Sequence, residues 1–321
     1  MHSFEELSAA FIGRFKVPHF PSHPASLYEP AGYFLGLGGK RIRPVLSLMG
    51  NELFGEIDPD AWLLANSVEV FHNFTLIHDD IMDKAPLRRG MPTVHEKYGS
   101  STALLTGDVM MVVAYDYLSK MQPQHIRPIM QIFNQAAKQV CEGQQLDMDF
   151  EKTERVGLDE YLSMIELKTS VLLAASLQMG AVLGGAGLGN QQHLYNFGKT
   201  LGLAFQVQDD YLDCFGDPAK FGKQVGGDIV AGKKTFLLIR TLEVATEAQR
   251  GQIKELEQAD SVTKVAGMLQ LFKACGVDGW ARELKEKYMQ ASYQHLEDIA
   301  VLARRKEPLR ELAAFLVQRE Y

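Results

Sequence analysis

Apolar residues recur at helical spacing through most of the chain, and strand-like alternation bounded by turns is absent from the sequence. The clearest helical stretches are residues 60–78, 102–121, 127–146 and 196–215. Proline and glycine interrupt the pattern at 18–30, 85–92 and 216–228. The pattern therefore predicts an all-α fold of about a dozen helices.

The chain shows no sign of division into domains. No Ser/Gly linker, low-complexity tract or detectable repeat separates its parts, so we expect one bundle-like domain over residues 1–321. Several helices are apolar around most of their circumference, which predicts that they are central or pair with a second copy in a homodimer. Residues 171–189 are uncharged and nearly long enough to span a membrane. Their Ser176, Gln178 and clustered glycines favour a buried helix ending in a turn, without stable membrane insertion.

The composition narrows the classes of function. The formal net charge is -7 and the pI about 5.8, so non-specific attraction to nucleic acid or anionic membrane is not expected. Cys141, Cys214 and Cys275 lie far apart and form no CxxC pair, which argues against a disulfide framework or a zinc site. The acidic, amphipathic start of the chain is unlike a signal peptide. We therefore expect a cytoplasmic protein.

Two clusters of aspartate point to a metal site. Asp79, Asp80 and Asp83 follow an apolar helical run, and "VQDDYLD" repeats the same DDxxD spacing later in the chain. Positions four apart share one face of a helix, whereas Asp80 is about 100° away from Asp79. Carboxylates repel each other at a helix C-terminus, which is already partly negative, unless cations lie between them. Carboxylate oxygens suit Mg²⁺, so the two clusters could face one another around a polyanionic ligand.

Basic residues next to glycine-rich turns suggest the nature of that ligand. Arginine can bind phosphate oxygens bidentately and lysine acts as a point charge. The candidates are Lys40, Arg41, Arg43, Arg88, Arg89, Lys168, Lys223, Lys233 and Lys234. Hydrolase signatures do not compete, because HExxH and GxSxG are both absent from the sequence. These residues predict a diphosphate site.

The motifs together resemble the trans-isoprenyl diphosphate synthase (polyprenyl synthetase) family over nearly the whole chain. The matching segments are "GGKRIRP", "HDDIMD", "LRRG.PTVH", "GD" at 107–108, "LKTS", "FQVQDDYLD" and "GK..GGDI..GKKT". The resemblance implies an isoprenoid-synthase bundle around a deep central cavity, usually in a homodimer. It implies a prenyltransferase that joins an allylic diphosphate to isopentenyl diphosphate and releases inorganic diphosphate.

The same resemblance assigns roles to individual residues. About three Mg²⁺ would be held by Asp79, Asp83 and Asp209, with Asp80 and Asp213 behind them. The allylic diphosphate would be bound by Arg88, Lys168 and Lys233, with Lys223 near the leaving diphosphate. Oxygens of Thr169 and Gln206 would face the developing allylic cation. Isopentenyl diphosphate would be bound by Lys40, Arg43, His72 and Arg89. From the sequence alone, a lone histidine such as His72 could equally be a core residue.

Product length should depend on the residues below the first aspartate cluster. Phe74 lies about 7.5 Å and Phe71 about 12 Å before Asp79 along a helix. In the resembling family, an aromatic residue at position 74 accompanies short products, so Phe74 predicts a C15 to C20 product, with Thr75 and Phe71 beside it. Helical geometry is less decisive, because Thr75 is about 40°, Phe71 about 80° and Phe74 about 140° from the Asp79 direction.

Three alternatives stay open at this point. The first is a long-chain polyprenyl diphosphate synthase that makes a quinone side chain. The second is a terpene cyclase or head-to-head synthase, against which the isopentenyl residues argue. The third is a non-catalytic subunit of a partner synthase, which we would expect to have lost aspartates or arginines that are intact here.

Overall fold

The computed structural model describes residues 1–216 and 225–317. Within those residues the regular secondary structure is helical except for one short antiparallel ribbon, in which Leu87 lies opposite Pro92 and Arg88 opposite Met91. Arg89 and Gly90 connect its strands with positive φ at both residues, the requirement of a type I′ turn. The predicted all-α fold is confirmed.

The helices follow one another with short connections. Up to residue 216 they are Phe4–Phe15, Ala25–Gly36, Ile42–Glu52, Pro59–Met82, Val94–Tyr98, Ser100–Ser119, Pro123–Lys152, Leu158–Ile165, Val171–Leu183 and Leu188–Phe215. From residue 225 they are Gly227–Ala231, Phe236–Val244, Glu247–Glu257, Ser261–Ala274, Val277–Glu297 and Ala303–Val317. A π-helical turn, Glu166–Ser170, lies between Leu158–Ile165 and Val171–Leu183.

The chain divides into two compact units. The first comprises Met1–Gln135, Ala175–Tyr195 and Ile299–Pro308. The second comprises Ala136–Ala174, Asn196–Asp298 and Leu309–Tyr321, of which residues 217–224 and 318–321 are not described. The single domain over 1–321 and its central cavity stay predictions.

The first unit positions the helix Pro59–Met82, which carries the first aspartate cluster. Asp58 caps this helix by accepting the backbone N–H of Asp60 at 2.8 Å, and Pro59 occupies its first turn, where proline is tolerated. Most of the helix is buried, including Leu64, Val68 and Phe71. This burial fixes the direction in which the acidic end points.

Glycines in the first unit allow two helices to approach closely. A Cβ at Gly180 would overlap the carbonyl oxygen of Ser47, and one at Gly50 would overlap that of Leu177. Gly185 has φ +74 and ends the helix Val171–Leu183, as the glycine-rich sequence predicts. The glycines before the turn therefore serve backbone contact between helices.

The stretch Leu158–Leu183 is long and apolar enough to cross a membrane by length and composition. Of its most apolar window, 67% is buried inside the protein. That degree of burial is typical of a core helix and agrees with the prediction made for residues 171–189.

The second unit has its own apolar core, which positions the second aspartate cluster. Leu203, Val207 and Cys214 of the helix Leu188–Phe215 are buried in it together with Tyr161 and Phe236. Gln206, Asp209 and Asp213 lie on a neighbouring face of that helix, roughly 80–140° around its axis from these buried residues.

Candidate active site

The first aspartate cluster lies at the end of the helix Pro59–Met82. Asp83 is the C-cap, and its backbone N–H donates to the carbonyl of Asp79 at 2.8 Å. Asp83 is exposed and the Asp79 side chain is 18% exposed, whereas Asp80 is only 1% exposed. Asp80 therefore points into the protein, as its helical offset from Asp79 predicts.

Arg88 pairs with this cluster from the ribbon Leu87–Pro92. Its Nε and Nη2 both lie 2.7 Å from Oδ1 of Asp80, and Nη2 lies 3.5 Å from Oδ2 of Asp79. Burial raises the pKa of Asp80, and the hydrogen bond and charge of Arg88 oppose that rise. The contact places a guanidinium next to the predicted metal ligands.

A separate cavity of about 360 Å³ in the first unit has four cations among its eight lining residues, and we call it the cationic cavity. Its lining residues are Gly39, Lys40, Arg41, Ile42, Arg43, Glu69, His72 and Arg89. The structure thus brings together the four residues predicted for isopentenyl diphosphate, which come from three separate segments of the chain.

His72 is neutral in this cavity. Its pKa lies well below the ordinary value of 6.5, first because the ring is buried and then because Arg43 and Arg89 repel a positive charge. Nη1 of Arg43 donates to Nε2 of His72 at 3.0 Å, so the ring proton belongs on Nδ1. Burial lowers the pKa of Arg43 to about 10, which leaves it charged at neutral pH. His72 can therefore accept from Arg43 and donate through Nδ1.

Arg41 is held inside the protein. Its Nη1 donates to the carboxylate of Glu69, and its Nη2 donates to the carbonyl of Leu35 at 2.8 Å. Glu69 is 3% exposed and also accepts from Nδ2 of Asn73 at 2.7 Å. The sequence grouped Arg41 with the phosphate-binding cations and missed Glu69, whose only signal was an acidic residue within an apolar helix.

Glycine allows Arg89 to enter the cavity wall. Arg89 donates through Nη1 to the carbonyl of Gly38. A Cβ on Gly39, which has φ +133, would lie 2.8 Å from Nη2 of Arg89. Any larger residue at position 39 would therefore displace the guanidinium and strain the backbone.

The predicted chain-length residues lie in the same helix below Asp79. The ring centroid of Phe74 is 5.3 Å from that of Phe71 and 4.9 Å from that of His78. Oγ1 of Thr75 donates to the carbonyl of His72 at 2.8 Å. A Cβ on Gly107 would overlap the His78 ring, so that ring packs directly against the helix Ser100–Ser119. The role of these residues in product length stays a prediction.

The second aspartate cluster is anchored by Asp210. This residue is 4% exposed and accepts from Oη of Tyr161 and from Nε2 of Gln206, the latter at 2.8 Å. Burial raises the pKa of Asp210 to about 7; the Tyr161 hydrogen bond opposes this, and the charge of Asp228 adds to it. The sequence did not single out Tyr161 or Asp228, although the latter lies in the quoted "GGDI".

Asp213 fastens the segment after residue 225 to the second aspartate cluster. Its Oδ2 accepts the backbone N–H of Asp228 at 3.1 Å, and its carbonyl accepts that of Gly226 at 2.7 Å. That Asp213 lies behind the metal ligands stays a prediction.

The π-helical turn Glu166–Ser170 presents Lys168 and Thr169. Nζ of Lys168 donates to Oδ2 of Asp147 at 2.6 Å, and Oγ1 of Thr169 lies 3.4 Å from Oε1 of Gln206. A Cβ on Gly143 would overlap the backbone nitrogen of Lys168. Single π turns occur frequently at functional sites, and periodicity in the sequence gave no sign of this one.

The two lysines of "GKKT" have different surroundings. Nζ of Lys234 donates to the carbonyls of Phe150 and Glu151, at 2.8 and 3.3 Å, near the C-terminal end of the helix Pro123–Lys152. Lys233 is exposed. Lys234 therefore has a structural contact, and Lys233 is the lysine open to a ligand. Lys223 lies outside the described residues.

The chemistry of the two aspartate clusters fits a divalent cation, because carboxylate oxygens are the donors that Mg²⁺ prefers. A different group, Asp58, Asp60 and His125, also has ligand atoms within 4.8 Å of one another. Oδ2 of Asp60 there accepts from Gln122 N–H at 2.9 Å and lies 2.7 Å from Nδ1 of His125. That group joins the starts of two helices, which is a sufficient reason for its geometry.

Comparison with known proteins identifies the family. The polyprenyl synthetase family model matches residues 24–273. The chain belongs to the polyprenyl synthetase family. It is 38% identical over 303 residues to a geranylgeranyl pyrophosphate synthase of Geoglobus acetivorans, covering 93% of this chain and 92% of that one. It is 35% identical over 305 residues to a geranylgeranyl diphosphate synthase of Methanosarcina mazei, covering 94% and 92%.

A solved structure of a geranylgeranyl pyrophosphate synthase superposes with a TM-score of 0.94 at 40% identity, covering 100% of both chains. The resemblance inferred from the motifs is confirmed. This member of the family is a prenyltransferase, and its all-α fold is that of the isoprenyl diphosphate synthases.

Proposed function

We propose that this protein condenses an allylic diphosphate with isopentenyl diphosphate to make geranylgeranyl diphosphate, with about three Mg²⁺ per active site. The observation that carries the proposal is the cationic cavity, where Lys40, Arg43, His72 and Arg89 line one volume. A terpene cyclase takes no isopentenyl diphosphate and would not need this cavity.

In the cationic cavity, isopentenyl diphosphate would be bound by Lys40, Arg43 and Arg89. Arg43 is partly buried, with its Nε shielded from solvent, and this low-dielectric setting strengthens its attraction for a diphosphate, whereas Lys40 and Arg89 are exposed. Neutral His72, with its Nε2 taken by Arg43, donates through Nδ1 without adding charge.

The allylic diphosphate is assigned to the residues near the aspartates. Asp79, Asp83 and Asp209 would hold the Mg²⁺, whose charge helps the diphosphate to leave. Arg88, Lys168 and Lys233 would bind its oxygens, and Lys223 is assigned there from the sequence alone. Arg88 and Lys168 are already paired with aspartates, so each is aligned before the substrate arrives.

The remaining residues position the reacting carbons. Oγ1 of Thr169 lies 3.4 Å from Oε1 of Gln206, and both oxygens would face the developing allylic cation. Asp210 accepts from Nε2 of Gln206 and so fixes the amide orientation that presents this oxygen. The double bond of isopentenyl diphosphate attacks the cation, and the released diphosphate is the nearest base for the proton that is lost.

The homologues support a C20 product, and the alternative is a long-chain polyprenyl diphosphate. The test incubates purified protein with Mg²⁺, labelled isopentenyl diphosphate and each of dimethylallyl, geranyl and farnesyl diphosphate. Chromatography should show geranylgeranyl diphosphate from all three primers. Products longer than C20 would favour the long-chain alternative, and inactivity with every primer would favour a non-catalytic subunit.

Replacing Phe74 tests the assignment of product length. Phe74→Ala would open space beside Phe71 and should lengthen the product beyond that of the unaltered protein. Phe272→Ala, which removes a buried aromatic residue of the other unit, is the matched control and should leave chain length unchanged. An unchanged product from Phe74→Ala would remove Phe74 from the proposal.

We also propose that the protein is a cytoplasmic homodimer. Leu105 and Val112 are seven residues apart on the helix Ser100–Ser119, lie on one face, and are 57% and 55% exposed. Leu104, next to them, is 50% exposed. Light scattering should give twice the chain mass, and Leu105→Lys should shift the protein towards monomer; a monomeric unaltered protein would refute the dimer.

A further inference from the structure

The first unit contains a second cavity, of about 650 Å³, which we call the N-terminal cavity. It lies among the helix Phe4–Phe15, the loop that follows and the helix Ala25–Gly36. Its wall is largely apolar and includes Phe15, Val17, Phe20 and Leu35. Its volume lies within the range usual for small-molecule sites. None of the proposed catalytic residues lines it.

Arg41 lines both this cavity and the cationic cavity. Its guanidinium lies 5.4 Å from the centre of the Phe15 ring, donates to the carbonyl of Leu35 and pairs with Glu69. The side chain is 8% exposed. A buried charge of this kind responds strongly to any new charge placed beside it, because screening by water is weak there.

The charges around the N-terminal cavity favour an anion. Lys16 and Arg41 contribute two cations, and among its lining residues, all in the described part of the chain, Glu29 supplies the single carboxylate. His19 lines the cavity as well, but its nitrogens lie 2.7 Å from the carbonyl of Phe15 and 2.6 Å from Oη of Tyr117. Burial lowers the pKa of His19, so it stays neutral at neutral pH and serves as a tether.

We propose that the N-terminal cavity binds an amphipathic anion, with an aliphatic tail and a phosphate or diphosphate head, and that its occupancy weakens isopentenyl diphosphate binding through Arg41. The tail would pack on Phe15, Val17 and Phe20, and the head would approach Lys16 and Arg41. Prenyl diphosphates belong to this chemical class. The coupling to isopentenyl diphosphate rests on the proposed function, whereas binding in the cavity does not.

The coupling follows from the pairing of Arg41 with Glu69. An anionic head competes with Glu69 for the guanidinium and leaves the Glu69 carboxylate less neutralised. Glu69 lies in the wall of the cationic cavity, where it already attracts Arg43 and Arg89. Stronger attraction would hold both arginines away from a diphosphate, so the KM for isopentenyl diphosphate should rise. Thermodynamic linkage requires that isopentenyl diphosphate weakens the anion to the same extent.

Dodecyl phosphate is a suitable probe, because it has the tail and the charge but no allylic bond to ionise. Calorimetry measures its binding below the concentration at which the probe forms micelles, with the cationic cavity saturated by isopentenyl thiolodiphosphate. Dodecanol tests the contribution of the tail alone, and inorganic phosphate tests that of the head alone. Without Mg²⁺, which the proposed allylic site needs, we expect one site per chain for dodecyl phosphate and much weaker binding of dodecanol and inorganic phosphate. Saturating the cationic cavity should weaken the probe without abolishing its binding. Binding that isopentenyl thiolodiphosphate abolishes, and that Val17→Asp leaves unchanged, would place the probe in the cationic cavity and overturn the proposal.

A matched pair of variants locates the site. Val17 lines the cavity and is 54% exposed, whereas Val262 is 78% exposed and does not line it. Val17→Asp should weaken dodecyl phosphate by about tenfold or more, through like-charge repulsion, and Val262→Asp should bind like the unaltered protein. Because both side chains are exposed, neither change should prevent folding. Equal binding by the two variants would overturn the proposed site.

Kinetics test the coupling. Dodecyl phosphate should raise the KM for isopentenyl diphosphate in the unaltered protein and in Val262→Asp, and have little effect in Val17→Asp. An unchanged KM at a saturated site would refute the coupling through Arg41. Val17-dependent binding by a protein without prenyltransferase activity would uphold the site and refute the proposed function. Val17-dependent sedimentation with phosphatidylserine vesicles would identify membrane lipid as the source of the anion, and its absence would identify a free ligand.

Discussion

Gly143→Ala is the substitution that tests most sharply how the structure positions Lys168. Gly143 lies on the helix Pro123–Lys152, against the π-helical turn Glu166–Ser170. An added Cβ would overlap the backbone nitrogen of Lys168 and lie 2.7 Å from the carbonyl carbon of Leu167. Both neighbours are backbone atoms, so no side-chain rotation can relieve the overlap. The π-helical turn itself must move.

The size of the effect can be estimated from this overlap. Forcing an extra methyl group into a packed contact typically costs about 1–3 kcal/mol of stability. A displacement on the order of 1 Å in a group that positions substrate can reduce the rate by roughly 100-fold. Lys168 and Thr169 both lie on the displaced turn, so kcat should fall much more than the loss of stability alone would cause.

The assay compares Gly143→Ala with Gly251→Ala. A Cβ at Gly251 would meet nothing within 4 Å, in the middle of the helix Glu247–Glu257. That control should gain roughly 0.5–1 kcal/mol, because alanine favours a helix interior over glycine. Urea unfolding measures stability, and kcat is measured at a temperature where both variants are folded. The KM for isopentenyl diphosphate should change little, because its assigned residues belong to the other unit.

Full activity in Gly143→Ala, with stability equal to that of Gly251→Ala, would refute this reasoning. It would mean that the turn tolerates displacement and that its geometry does not position Lys168. Restored activity on lowering the temperature alone would point instead to a purely structural role for Gly143.

Three further predictions concern single side chains. Glu69→Gln leaves the charge of Arg41 buried without its ion-pair partner, so the free energy of unfolding measured in urea should fall by about 3–5 kcal/mol. The double variant Glu69→Leu/Arg41→Met removes both charges and should recover part of that loss. The pKa of His72 is lower in the folded protein than its unfolded value of 6.5, so its contribution to stability is complete above that pH and is lost as the pH falls below it. Lowering the pH from 7.5 to 5 should therefore reduce the urea midpoint of the unaltered protein more than that of His72→Gln. Lys234→Met should reduce the free energy of unfolding by about 1 kcal/mol or more, with a modest change in the KM for the allylic substrate. Lys233→Met should instead raise that KM with little effect on stability.

The parts of the fold and site that could be predicted from the sequence are those with a recognisable local pattern of residues. Periodicity was sufficient for the helices, since their buried faces repeat every three to four residues. The DDxxD spacing correctly placed Asp80 away from Asp79, because helical geometry fixes that offset. The meeting of Lys40, His72 and Arg89 in one cavity came from the resemblance, since they are separated along the chain and no local pattern joins them.

What could not be predicted depends on contacts between distant segments. Arg41 carries the same charge as Arg43, and only the structure shows that it pairs with buried Glu69. The sequence likewise made Lys233 and Lys234 equal candidates for phosphate binding, although Lys234 donates to carbonyls 83 and 84 residues away. The π-helical turn packs closely against Gly143, and no periodic pattern in the sequence records that contact.

Because the residues assigned to isopentenyl diphosphate in the cationic cavity are cations and a neutral histidine, we expect this substrate to bind there without metal. Calorimetry with isopentenyl thiolodiphosphate, with and without Mg²⁺, tests it most directly, with Arg89→Gln as the variant and Arg240→Gln, at a surface ion pair, as the control. We expect binding of similar affinity with and without Mg²⁺, weakened in Arg89→Gln and unchanged in Arg240→Gln. Binding that requires Mg²⁺, or that survives Arg89→Gln undiminished, would refute the assignment of isopentenyl diphosphate to the cationic cavity.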